Sequence, residues 1–377
     1  MDQQTRSREA AGVIPAGESI ADNEDLLTEI LERLPAKSTI RFKSVSTNWL
    51  NLLSDSQFAA NHSTRNHTPS SISGFYFHID ETFDRAYSFS LDGFRSYLPP
   101  LSFLDGLVEG SGVTVRVMHS CNGLLLCRFN QGHQNYLVCN PATKKYKLLP
   151  QPVRLGRRKA GYLAFDPTKS SLHYKVVLFS THSSFLVYIY SSQSLCWREV
   201  SLDQKYSGRS VFWNGAIHWL THDDILMRFD VAVEKITTVP NPPSPQVLHR
   251  KKIIYFGECG GGLILIQSSS LYPREFLILE LENDYSRWVV KCWVDLSPVI
   301  AEFPKMKSTR NAYVVLGAVE GENERGFALL LGTSTRIISY NLKSMTWDVL
   351  RRLFLGESRE FGLRCAAFPF AETLFPV

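Results

Sequence analysis

Three cysteines and two histidines crowd one stretch of the chain: His119, Cys121, Cys127, His133 and Cys139. Thiolates and imidazoles are zinc ligands, so the group invites a metal reading. Their spacings are not those of zinc modules, and alternating strands would bury such cysteines as small apolar residues. Gly260-Gly261-Gly262 follows a strand-like run and suggests a phosphate loop. It opens onto Leu263-Ile264-Leu265-Ile266, another strand pattern, whereas phosphate binding needs a helix N-terminus there. His218 beside Trp219 sits in an apolar strand and reads as a core histidine. Carboxylate pairs such as Asp223-Asp224 occur, but the chain has no Gly-x-Ser-x-Gly and no His-Glu-x-x-His element. No catalytic, cofactor-binding or metal-binding residue is therefore assigned.

Charge and hydropathy exclude further classes. The net charge of +5, from 41 basic and 36 acidic residues, is mild for 377 residues. Short basic runs at Arg154–Lys159 and His249–Lys252 read as solvated loops, as does the proline-rich stretch Pro240–Pro245, so no nucleic-acid partner is expected. The longest apolar runs, Leu263–Ile266 and Phe327–Leu331, are strand-sized, far below the roughly 18 residues of a membrane helix. Residues 1–20 are small and polar without an apolar centre, and read as a disordered tail. With 7 scattered cysteines, that points to reduced thiols and to the nucleus or cytoplasm.

The elements change character near residue 65. Leu26, Leu27, Ile30, Leu31 and Leu34 form one apolar stripe of helical period. Asp22 is a candidate N-cap, and Asn23, Glu24 and Asp25 suit the first turn. Pro35 ends this helix and can open the next. Ile40, Val45, Trp49, Leu52 and Leu53 continue a looser helical face. Two or three short helices of about forty residues cannot bury that much apolar surface alone. The surplus predicts a helical partner or a neighbouring domain.

Beyond a polar linker the apolar period becomes two. Phe75–Phe77, Tyr136–Val138, Tyr174–Val177, Leu186–Ile189 and Phe276–Leu279 are aromatic and β-branched runs of strand length, separated by turns such as Asn122-Gly123 and Asn214-Gly215. A weak repeat organises them: a strand ends in a polar residue, a short turn follows, and an aromatic or apolar residue opens the next strand. It starts at Cys139, Tyr190, Phe229, Leu281 and Tyr340, with a fainter copy at Ser88. Anchors roughly 40 to 60 residues apart match the blades of a β-propeller, and about three hundred residues allow six or seven. A pair of β-sandwiches is the competing architecture. The fold class is thus α+β multidomain: a small all-α module followed by a large all-β domain.

The helical segment Asp25–Leu53, with Ser54-Asp55 and Phe58 after it, resembles the F-box of plant proteins in its Asp-Leu, Ile-Leu, Arg-Leu-Pro, Lys-Ser, Arg-Phe-Lys, Val and Trp elements. It departs where Ile20-Ala21-Asp22 replaces the usual Pro and Val45-Ser46-Thr47 the frequent Val-Cys-Lys. The rest resembles the F-box-associated region of the same plant families. Ser120–Cys127, Asn140–Lys145 with Leu149-Pro150, Phe165-Asp166-Pro167 with Tyr174–Val177, Asn214–Leu220 and Phe229-Asp230 follow in the family's order.

The resemblance implies a tail over 1–20, an F-box over 21–62, a linker over 63–73 and a β-propeller over 74–377. It implies a non-catalytic substrate receptor of a Skp–cullin–F-box ubiquitin ligase. The F-box would dock on a Skp-type adaptor, and through it on a cullin-RING ligase, while the β-domain holds a target protein of unknown identity. The implied adaptor contacts are Leu26, Leu27, Ile30, Leu31, Leu34, Pro35, Ile40, Val45 and Trp49. Two alternatives stay open: an F-box scaffold without target turnover, and a propeller enzyme or carbohydrate binder.

Overall fold

The structure is a computed structural model that describes residues 23–67, 72–79, 86–93, 97–107, 114–131, 133–152, 159–168, 172–180, 186–202, 210–221, 223, 225–243, 252–268, 274–307, 313–320, 327–353 and 365–377. The expected tail, residues 154–158 and 249–251 of the basic runs, and residues 244–245 of the proline-rich stretch lie outside these.

Four short helices come first, where two or three were expected: α1 (Glu24–Leu31), α2 (Ala36–Phe42), α3 (Thr47–Leu52) and α4 (Ser56–Arg65). α4 runs three residues into the expected linker. The cap of α1 is Asn23, whose Oδ1 accepts from the Leu26 amide at 3.1 Å. Ser46 caps α3, and Asp55 caps α4 by accepting from the amides of Gln57 (2.8 Å) and Phe58 (2.9 Å). Each cap satisfies amides that a helix start leaves open.

The β-domain is a six-bladed propeller. Five blades are four-stranded antiparallel sheets: β3 to β6 (116–148), β7 to β10 (159–201), β11 to β14 (210–239), β15 to β18 (252–295) and β19 to β22 (313–352). A short helix, α5 (Ser297–Glu302), links the fourth of these to the fifth. Both ends of the domain build the closing blade. β23 (Ala366–Phe370) pairs antiparallel with β1 (Gly74–His78), and β1 pairs with β2 (Tyr87–Ser90). The first strands of successive blades neighbour one another around the axis, and β23 takes its place between β19 and β3.

The period-two runs bury both faces, because each strand packs on two neighbouring blades. In β16 (Gly262–Ser268), Leu263 and Leu265 face the blade before, while Ile264 and Ile266 face the blade after. Six apolar cores result, one for each blade interface. The weak repeat marks the turn from third to fourth strand. Asn140, Asp230 and Asn341 end their strands and fold the side-chain oxygen back onto the next amides, as at Ala142 (2.9 Å), Ala232 (2.9 Å) and Lys343 (2.9 Å). Lys144, Leu195, Glu234 and Met345 then adopt left-handed backbone, φ 54° to 58°, just before the fourth strand. The indoles that follow lock blades together: Trp197 donates to the Pro150 carbonyl (2.5 Å) and Trp288 to that of Pro240 (2.9 Å).

The segment after β23 joins the two domains. Leu374 is 3% exposed and inserts into the core of the helical module with Leu27, Leu31, Leu53 and Phe58. The Thr373 hydroxyl donates to the Ser63 hydroxyl on α4 at 2.9 Å. The buried Asn140 amide donates to the carbonyls of Thr373 (3.0 Å) and Phe375 (2.9 Å), and the Phe375 ring meets Phe165 at 4.1 Å between centroids. The Asn122-Gly123 turn lies against this strap. Gly123 has φ 84°, and a Cβ there would stand 2.3 Å from the Thr373 methyl, so the turn needs glycine for conformation and for space.

Leu374→Ala removes a side chain from the helical core and is expected to cost that module about 2–5 kcal/mol. Amide exchange over residues 24–65 should rise while the blades keep their protection; unchanged exchange there contradicts the strap. A second expectation concerns His218, fully buried between Trp213 and Tyr285. Burial, with Arg228 nearby, holds its imidazole down at about 3. The unfolded chain binds a proton there near pH 6.5 and the folded chain does not. Stability from this site is complete above about pH 6.5 and falls as pH drops toward 3, by at most about 1.4 kcal/mol per pH unit. Urea titrations at pH 7 and pH 5 should show a smaller loss for His218→Phe than for the wild type.

Candidate docking face and junction cleft

α1 presents two apolar faces a residue apart. Leu27 (6% exposed) and Leu31 (1%) point into the module's core, while Leu26 (50%) and Ile30 (45%) point out. Leu27 and Leu31, both in the expected docking set, pack instead on Leu53, Phe58 and Leu374, which leaves little of either side chain at the surface. Val45 is exposed at 58% and Pro35 is exposed. Leu34, Ile40 and Trp49 are half-buried, packed at one edge against the same core, with Trp49 edge-on to Phe42 at 5.6 Å. Leu50, 44% exposed, was missed by the sequence reading. Its signal was the run Trp49-Leu50 before Leu52-Leu53, which is wider than one helical face needs.

Polar contacts fix how the helices sit. Arg65 at the end of α4 reaches back to Glu29 (3.1 Å) and Glu32 (3.5 Å), and Glu29 also pairs with Arg33. Arg33 and then Arg65 hold the Glu29 carboxyl below its usual range. His62, on the inner side of α4, uses Nε2 to bond the Leu34 carbonyl at 2.7 Å and lies 3.4 Å from the Thr39 hydroxyl. Burial pushes its imidazole down, so it is neutral at pH 7 and donates from Nε2.

Between α4 and the ring lies a cleft of about 410 Å³. The turns joining first to second strands supply one wall: Asn122-Gly123, Phe165-Asp166-Pro167, Asn214-Gly215 and Gly261. α4 and the C-terminal strap supply the other. Motif residues far apart in sequence thus meet at one mouth of the ring. Asn122 donates to the Phe165 carbonyl at 2.7 Å, and the Cys121 thiol donates to the same oxygen at 3.2 Å. Glu258, at the end of β15 (Lys252–Cys259), accepts from the Gly261 amide at 2.8 Å, and burial raises its carboxyl above the ordinary range.

The other sequence candidates belong to the packing. Cys127 and Cys139 share the core between the closing blade and the first, sulfurs 4.0 Å apart, and Cys121 lies in the next core. His119 accepts from the Leu163 amide at 3.2 Å, tying one blade to the next, and His133 is exposed. Among the described residues no three His, Cys, Asp or Glu side chains are grouped to hold a metal ion. Gly260 and Gly261 form the left-handed turn between β15 and β16.

Comparison with known proteins agrees with this architecture. The F-box domain profile matches residues 23–60, and that of the F-box associated beta propeller domain matches residues 84–257. An F-box protein of Arabidopsis thaliana is 34% identical over 92% of this chain and 89% of its own length. A second F-box protein of Arabidopsis thaliana is 26% identical over 94% of this chain and 97% of its own length. A putative F-box/kelch-repeat protein of the same plant is 29% identical over 56% of this chain and 57% of its length. The chain belongs to the plant F-box proteins that carry an F-box-associated β-propeller domain.

Proposed function

We propose that this protein is the substrate-recognition subunit of a Skp–cullin–F-box ubiquitin ligase. The carrying observation is the outer face of the F-box. A module of about forty residues leaves Leu26, Ile30, Val45 and Leu50 in water although its own core is filled, partly by Leu374 from the other domain. Exposed apolar side chains at this density on so small a module fit a docking surface for a helical adaptor.

The ring then carries the target. In each four-stranded blade the first-to-second and third-to-fourth turns leave at one end, and the remaining connections leave at the other. The F-box sits on the end where the first-to-second turns gather. Target recognition belongs at the opposite end, where loops on a rigid scaffold carry specificity. The chain supplies binding and position. Ubiquitin transfer is accelerated by proximity, and the bond-making groups belong to other subunits.

Ile30→Asp and Leu26→Asp place a charge on the outer face without touching the core. Each is expected to weaken binding to a Skp-type adaptor by at least about 2 kcal/mol, or roughly 30-fold, with the thermal unfolding of the chain unchanged. Leu31→Ala should do the reverse in kind: it opens a core cavity and lowers stability first. Titration calorimetry beside a melting curve separates the two. Full adaptor affinity in both aspartate variants overturns the proposal.

A further inference from the structure

We propose that the end of the ring opposite the F-box binds an acidic segment of a target protein, whose clustered carboxylate or phosphoryl groups meet paired arginines. This deepens the receptor reading by naming a class of target, and it rests on that reading. β3 (Arg116–Cys121) starts at that end and β4 (Leu124–Gln131) finishes there. Arg116 and Arg128 stand directly opposite each other on these strands. β21 (Arg336–Asn341) and β22 (Thr346–Arg352) repeat the arrangement at the same end of the fifth four-stranded blade, with Arg336 opposite Arg352. Side chains directly opposite across two strands start about 5 Å apart, and like charges there repel. Two such pairs at one end are unfavourable for the chain alone. An anion shared between two guanidinium forks reverses the sign of each pair.

The surroundings favour an anion. Arg128 is half-buried and Arg352 exposed, and neither has a carboxylate of the described residues in ion-pair reach. The Arg336 guanidinium lies over the Phe303 ring, 5.2 Å from its centroid, a contact that orients the fork and leaves its charge in place. The carboxylates described at this end, Asp223, Glu275, Asp295 and Glu302, stand on the third and fourth four-stranded blades and on α5, not on the blades with the arginine pairs. At the other end the sign is reversed. Asp166, Glu258 and Glu372 line the cleft under the F-box, with no Lys or Arg among its described lining residues. An acidic segment is therefore repelled from the F-box side and drawn to the opposite end.

The test titrates the full chain, without adaptor, into two fluorescein-labelled peptides, one with clustered glutamates and one with phosphoserines in their place, and follows anisotropy. Saturable binding of at least one is expected, and the comparison tells which anion the arginines prefer. Arg128→Gln combined with Arg352→Gln should weaken that peptide at least about tenfold. Thermal unfolding of the double variant should be unchanged or higher, because a like-charge contact is relieved in each blade. Arg287→Gln, the same change of charge on an exposed turn at the F-box end, should leave the affinity as it was. No saturable binding of either peptide, equal weakening by Arg287→Gln, or full affinity in the double variant overturns the proposal. So does tighter binding of an oligothymidylate of equal charge, which assigns the arginines to nucleic acid. Absent peptide binding with intact adaptor binding refutes this inference and leaves the receptor reading standing.

Discussion

The last dozen residues hold the molecule together twice. β23 supplies the inner strand of the closing blade, so the ring cannot close until the C-terminus has paired with β1. Four residues later the same segment places Leu374 inside the F-box. One stretch of backbone thereby couples a non-local strand pairing to the core of a separate domain. Loop closure across nearly the whole domain is entropically costly, and the apolar burial of Phe370, Leu374 and Phe375 offsets it. The side chain of Asn140 secures the strap by hydrogen bonds to two of its carbonyls. If the strap were loose, the F-box would hang on a short linker and its direction relative to the ring would be undefined.

That rigidity is what a positioning subunit requires. In the proposed receptor role, binding is converted into a fixed geometry. The contacts at the junction are short and buried: Thr373 to Ser63, Leu374 among Leu27 and Leu31, Phe375 against Phe165. They leave Leu26 and Ile30 on the outer face of α1 exposed. The cleft is lined by α4, the C-terminal strap and the first-to-second turns, at the joint itself.

Much of this was legible in the sequence, for physical reasons. Period-two apolar runs with no polar face announced strands buried on both sides, and the repeat at Cys139, Tyr190, Phe229, Leu281 and Tyr340 coincides with the turn into each fourth strand. The fainter copy at Ser88 falls on β2, the third strand of the closing blade, where Ser90 accepts from the Asp92 amide at 3.1 Å. The stripe in α1 was also visible, but its inner and outer halves were not. Adjacent leucines point about 100° apart on a helix, and only the neighbouring helices decide which of Leu26 and Leu27 is covered. Leu374 could not be found at all. Its partners lie more than three hundred residues away, and nothing local distinguishes it from the other apolar residues of the C-terminus. His62 was likewise silent, because its bond to the Leu34 carbonyl is a property of the assembled helices.

The most direct test of the central claim is amide hydrogen exchange of the full chain, alone and with a Skp-type adaptor. The account predicts new protection confined to residues 24–52, with the blades unchanged and the junction already protected in the free chain. Protection spread over the ring, or none in the F-box helices, contradicts it.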